Sequence, residues 1–158
     1  MIRTLRKTFL ALTFLGIATP YASAAATCSV SVSGLAFGSH DPISGSPTDS
    51  TGTVSVTCAG TVGDSASYSI LLGPGGGSYS NRQMSSGSNV MYYNIFTESG
   101  HYSIFGDGTG STATLSNSLT LVAPSQTTNH AIYGRIYAGQ TSVPAGSYGD
   151  TLVVTLQY

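Results

Sequence analysis

Two short stretches restrict what this chain can fold into. CSVSVS (residues 28–33) and TVSVTC (residues 53–58) alternate apolar and hydroxyl side chains without a break. Successive side chains of a β-strand point to opposite faces of the pleat, so a period of two gives each strand one apolar and one polar face. Cys28, Val30 and Val32 share a face of the first run. Val54, Val56 and Cys58 share a face of the second. Beyond the N-terminal leader, no window repeats apolar residues at i, i+3, i+4 and i+7 over three turns. The chain is therefore expected to be all-β, built of short strands with turns between them, as a sandwich or barrel.

The other runs follow the same rule. ASYSILL (residues 66–72) places Ala66, Tyr68, Ile70 and Leu72 on one face. GPGGGSYSNRQM (residues 73–84) reads as a flexible loop with a short strand. NVMYYNIFTESGHYSIFGDG (residues 89–108) reads as two strands joined by a turn at residues 98–100, and STATLSNSLTLVAP (residues 111–124) as one or two more. In HAIYGRIYAGQ (residues 130–140), Ile132, Gly134 and Ile136 lie opposite Tyr133, Arg135 and Tyr137. In TLVVTLQY (residues 151–158), Leu152, Val154, Leu156 and Tyr158 lie opposite Thr151, Val153, Thr155 and Gln157. No linker or composition shift divides the chain.

Residues 1–24 read as a secretory signal peptide, leaving residues 25–158 as one domain. Arg3, Arg6 and Lys7 form the basic start, residues 9–17 the apolar stretch, and Ala22-Ser23-Ala24 a small-x-small site with cleavage after Ala24. The apolar stretch is about half the roughly 20 residues that span a bilayer. Cleavage leaves two arginines, Arg82 and Arg135, against six acids, a net charge of −4 with neutral histidines. Two arginines cannot form a basic patch, which argues against nucleic acid and anionic membrane as partners. Only 7% of the residues are charged. That suits a secreted structural or adhesive protein better than an enzyme, which needs ionisable groups to move protons.

Export favours a disulfide between Cys28 and Cys58, both on apolar faces. Free thiols and a metal pair remain the alternatives, although no histidine motif accompanies the cysteines. GPGGG and GDGTG (residues 73–77 and 106–110) lack the following helix and the lysine of a phosphate loop, and read as turns. Asp107 alone does not supply the oxygens of a calcium site. His40, His101 and His130 with Asp64 and Ser65 make a hydrolase triad conceivable on paper, but no nucleophile elbow is present. No catalytic residue, cofactor or metal site is assigned. The tyrosines, among them Tyr79, Tyr92, Tyr102 and Tyr137, read first as strand packing and second as a sugar-binding stripe.

Several pieces, in order, carry a family likeness. CSVSVSGLAFGSHDPISG contains Phe37, Gly38, His40, Asp41 and Pro42 in the pattern FG-x-[YH]-[DN]-P. TGTVSVTC, YSILLG, RQM, YNIFT and IFGDG follow, and YGRIYAGQTSVPAGSYGDTLVVTLQY closes the chain. Together they resemble the spore coat protein U domain, the subunit type of archaic chaperone–usher pili.

The resemblance implies an incomplete immunoglobulin-like sandwich that lacks its last strand. A donor strand from a partner completes it: first from a periplasmic chaperone, then from a neighbouring pilin or coat subunit delivered through an outer-membrane usher. It also implies export through the periplasm to the cell surface, as a pilus or a spore coat. The acceptor groove and chaperone-contact strand are expected at Leu152, Val154, Leu156 and Tyr158. The sequence ends inside that apolar run, in keeping with completion from outside. Cleavage after Ala24 leaves only Ala25, Ala26 and Thr27 before Cys28, which predicts a terminal, tip-like subunit that accepts a strand and has little to donate. The competing expectations are a secreted sandwich-type carbohydrate-binding module and, less favoured, a secreted hydrolase.

Overall fold

The computed structural model describes residues 25–158; the expected signal peptide and its cleavage site at Ala24 lie outside the described residues. The described residues form eight strands and no helix. These are β1 (Thr27–Ser33), β2 (Thr48–Ala59), β3 (Ser65–Leu72), β4 (Arg82–Ser86), β5 (Asn89–Phe96), β6 (Leu115–Thr120), β7 (Ser125–Ile136) and β8 (Val154–Gln157). One sheet has the order β1-β2-β7-β5-β4 and the other β6-β3-β8. Every named pairing is antiparallel.

The alternation of the sequence becomes the division between core and surface. On β2, Gly52, Val54, Val56 and Cys58 are buried while Asp49, Thr51 and Ala59 are exposed. On β3, Ala66, Tyr68, Ile70 and Leu72 are buried. Met91, Tyr93 and Ile95 of β5 and Ile132 and Ile136 of β7 meet them between the sheets. Slipping any of these strands by one residue would turn its apolar set outward, so burial fixes the register.

Cys28 and Cys58 face each other across the β1–β2 ladder and form a disulfide closing a separation of 30 residues. In the chain-entropy account a loop of that size stabilises the fold by about 3–4 kcal/mol. The bridge ties down an edge strand that would otherwise be held by one ladder alone.

Three segments differ from the sequence expectation. β2 begins at Thr48, five residues ahead of the run TVSVTC. β7 begins at Ser125, five residues ahead of the run read as a strand. Each supplies the other's partner, pairing continuously from Thr48↔Ile136 to Ala59↔Ser125, and this long ladder overrides the turn-like composition of TDSTG and SQTTN. Residues 101–108 do not form the expected strand. Ile104 and Phe105 make only isolated bridges, to Phe96 and Ala113, because Phe105 turns fully into the core and glycine-rich turns follow it.

Candidate functional site

β1 and β8 are edge strands of different sheets, and they lie beside one another. Among the described residues, β1 pairs only with β2, and β8 only with β3 over Leu72↔Val154 to Ser69↔Gln157. Each therefore has one side without a ladder. An edge strand carries a row of backbone N–H and C=O groups ready to pair with another strand.

Between these edges the sandwich stays open. A groove of about 1180 Å³ runs down to the core, with Val54, Ile132 and Ile136 of the five-stranded sheet and Leu72 and Phe105 in its floor. Residues 32–43 form one rim and residues 143–152 the other. The lining is mostly apolar; its ionisable groups are His40, Tyr93, Tyr148 and Asp150. A concave apolar channel flanked by strand edges can take an extended peptide: the backbone pairs with the edge and alternate side chains drop into the channel.

Polar contacts hold the rims. The His40 ring lies 2.8 Å from the Thr48 hydroxyl through Nδ1, and the Ser50 hydroxyl donates to the Ala36 carbonyl at 2.8 Å. On the other rim the Asp150 carboxylate accepts from the Tyr93 hydroxyl at 2.6 Å, the Gly76 N–H at 3.0 Å and its neighbour Thr151 N–H at 2.8 Å. Burial, followed by the Asp150 contact, pushes the Tyr93 phenol far above its usual pKa, so it remains a hydrogen-bond donor. Gly75 has φ of +68°, and a Cβ there would strike Asp150. The glycine-rich loop thus serves as a seat for this carboxylate.

Beneath that rim sits Arg82, fully buried. Its Nη1 donates to Asn94 Oδ1 at 2.6 Å, and its Nη2 donates to the carbonyls of Gly73 and Phe105 at 2.9 and 2.8 Å. Tyr79 lies over the guanidinium at 5.5 Å. Burial lowers the pKa of Arg82, while the nearby Tyr93, Tyr79 and Asp150 favour its charge. The arginine joins the end of β3 to β4 and β5 and so holds the two sheets together at one end of the sandwich.

Of the residues assigned from sequence to the acceptor strand, Leu152 and Val154 line the groove. Leu156 packs against the core, opposite Ile70, outside the groove lining. Tyr158 follows β8 and is 64% exposed. Cys28 and Cys58 lie in the bridge described above.

The histidines are dispersed. His130 Nε2 lies 2.9 Å from the Tyr68 hydroxyl, and His101 packs edge-on against Phe96 and Tyr133. The Asp64 carboxylate accepts from Thr61 N–H, and Asp107 from the amide and hydroxyl of Thr109. Both are turn contacts. Tyrosines divide between the core (Tyr68, Tyr93), the groove rim (Tyr148) and solvent (Tyr92, Tyr102, Tyr158).

Apart from Val32 and Leu152, the rims carry no alternating pattern in the sequence. Leu35 and Phe37 on one side, and Val143 and Tyr148 on the other, pack against the core from segments rich in glycine, proline and serine. Isolated apolar residues inside turn-like stretches are the signal that was available.

Comparison with known proteins agrees with this architecture. The Spore Coat Protein U domain matches residues 13–155. No curated protein matches the chain. Among solved structures, the fold is similar to one determined in the CsuC-CsuE chaperone–tip adhesion subunit pre-assembly complex, from the archaic chaperone-usher Csu pili of Acinetobacter baumannii. The TM-score is 0.55 at 21% identity, over 84% of this chain and 40% of that one. The present chain thus spans about two fifths of that neighbour's length. With the family match running through nearly all of the described residues, this chain belongs to the Spore Coat Protein U domain family.

Proposed function

We propose that this chain is a structural or adhesive subunit of a chaperone–usher surface fibre or coat, and that a strand from another chain completes its sandwich in the groove between β1 and β8. The observation that carries this reading is the pairing of an open apolar channel with an unpaired strand edge on each side. A channel of this kind costs stability while it faces water; each valine- or leucine-sized side chain placed in it returns about 1.5–3 kcal/mol. The ladder along the edge sets direction and register, and the alternate side chains set specificity.

The occupants are a periplasmic chaperone during export, then a neighbouring pilin or coat subunit, with an outer-membrane usher passing the subunit to the surface. Membership of the family supports this sequence of partners. Leu152 and Val154 form the wall that meets the incoming strand, and Leu156 backs it. A terminal position is the reading that cleavage after Ala24 supports: β1 starts at Thr27 and Ala26 is buried in this domain's own core, so such cleavage would leave no free strand for a neighbour.

Affinity purification of the tagged chain from the periplasm of its native host tests the reading. A stoichiometric complex with one chaperone is expected, with Val154→Asp abolishing it while leaving the disulfide formed. Recovery of the chain from the periplasm with no chaperone bound would contradict the proposal and favour a self-sufficient binding module.

A further inference from the structure

The outer face of the five-stranded sheet carries a polar cluster away from the groove. Asp49 and Thr51 of β2 point outward, as do Tyr133 and Arg135 of β7, and the ladder pairs Asp49 with Arg135 and Thr51 with Tyr133. None of the four lines the groove. Arg135 grips Asp49 with two donors, Nε to Oδ1 and Nη2 to Oδ2, each at 2.7 Å. This contact lowers the carboxyl pKa of Asp49 and raises the pKa of Arg135, so both stay charged and the pair is neutral as a whole. It is open to solvent, with the Asp49 side chain 48% and the Arg135 side chain 31% exposed. A guanidinium carries five N–H donors, so Nη1 is left to donate outward, and each carboxylate oxygen keeps a free lone pair.

The turn that follows β5 folds over this face. The His101 ring packs edge-on against Phe96 and Tyr133 and is nine-tenths buried. Its Nε2 has no hydrogen-bond partner among the described residues and lies 3.9 Å from the Asp49 carboxylate. His101 has φ of +59°, a left-handed conformation that is costly outside glycine and persists only where the surroundings enforce it. Glu98 supplies the enforcement: its carboxylate accepts from the Thr97 hydroxyl and from the Tyr102 and Ser103 amides, each at 2.6 Å. The residue this braced turn displays is Tyr102. Its ring lies against Gly100, where a Cβ would strike it, and the residue is 89% exposed. An aromatic ring is thus held in solvent one residue from the histidine that abuts the Asp49–Arg135 pair, and core packing does not account for it.

We propose that this outer face is a binding site for a neutral sugar: the C–H face of a pyranose ring stacks on Tyr102, while its hydroxyls donate to Asp49 and accept from Arg135 Nη1 and the Thr51 hydroxyl. The chemistry of the site selects that class. A sugar ring has an apolar face and a rim of hydroxyls that both donate and accept, which matches an exposed aromatic ring set beside a paired donor and acceptor. A charged ligand would have to compete with the partner that each charge already holds. Among the described residues the only other arginine or lysine is Arg82, which is fully buried. The site lies outside the groove, so the inference does not depend on strand acceptance there.

The test is a panel of immobilised neutral oligosaccharides built from glucose, mannose, galactose or xylose, with polygalacturonate and chitosan as charged controls. The mature chain is applied as purified from the periplasm, together with any partner that accompanies it. Binding to at least one neutral oligosaccharide is expected, and none to the charged polymers. Tyr102→Ala should weaken that binding about tenfold, the loss expected from one stacking contact. Tyr102→Phe keeps the ring and should keep the binding. Tyr102 is exposed, so both variants are expected to melt as wild type does, which separates a lost contact from a lost fold. Three results would overturn the proposal: no neutral oligosaccharide is bound, a charged polymer is bound as tightly as any neutral one, or Tyr102→Ala binds as wild type does. None of them bears on the groove, whose test is chaperone capture.

Discussion

The Tyr93 hydroxyl donates a 2.6 Å hydrogen bond to the Asp150 carboxylate, and this contact ties the inner face of β5 to the segment that runs into β8. The same carboxylate receives the Gly76 amide from the loop after β3. One acidic side chain therefore fixes the distance between the two sheets at the end of the groove. Tyr93→Phe removes the donor and leaves a partly buried carboxylate short of a partner. Hydrogen bonds to charged groups contribute about 1.5–3 kcal/mol, so a loss near the lower end of that range is expected in a urea melt. Asp150→Asn still accepts from Tyr93 and should cost less. An unchanged midpoint for Tyr93→Phe would show that the contact does not hold the rim.

Arg82 offers a sharper version of the same test. Its guanidinium reaches Asn94, Gly73 and Phe105 at once, a fork that an ammonium group cannot reproduce. Arg82→Lys keeps the charge but orphans at least one buried carbonyl, at about 1–3 kcal/mol each. Arg82→Lys is therefore expected to lower stability by about 2–4 kcal/mol, read as a clear shift of the denaturation midpoint with an unaltered slope. A variant as stable as wild type would mean that the carbonyls find other partners.

Removing the Cys28–Cys58 bridge with a double serine substitution should destabilise the domain by about 2–5 kcal/mol. The effect should appear first at β1, which the bridge fastens to β2. Amide exchange in β1 is expected to accelerate more than exchange in β3. Uniform acceleration would place the bridge's contribution in the unfolded chain alone.

Acid should weaken the fold through His130. Burial lowers its pKa below the usual 6.5, and its Nε2 sits 2.9 Å from the Tyr68 hydroxyl. The unfolded chain then takes up a proton near pH 6.5 while the folded chain does not. Stability is complete above that pH and is lost as pH falls through the folded-state pKa. Melts at pH 7.5 and pH 5 should differ in wild type and differ less in His130→Gln. Equal pH dependence in the two proteins would assign the effect to other groups.

The strands whose alternation is strict are legible from the pattern alone. Val54, Val56 and Cys58, and likewise Ala66, Tyr68, Ile70 and Leu72, are buried where a period of two puts them. The first halves of β2 and β7 were not legible, because TDSTG and SQTTN have the composition of turns and become strands only by pairing with each other. Phe105 was read as part of a strand, yet it is a buried plug between turns. The groove was half legible. Leu152 and Val154 follow from the pattern of one strand, whereas Leu35 and Phe37 on the other rim lie against Gly134, which is far from them in sequence. Local periodicity carries no record of such a contact.

Hydrogen exchange at β8 tests the central claim most directly. Residues 152–157 are compared in the free chain and in its complex with the periplasmic partner. Strand addition in the groove predicts that amides on the open side of β8, unpaired in the free chain, become strongly protected in the complex, together with those facing the groove on the β1 rim. A stable complex that leaves exchange at residues 152–157 unchanged would contradict it.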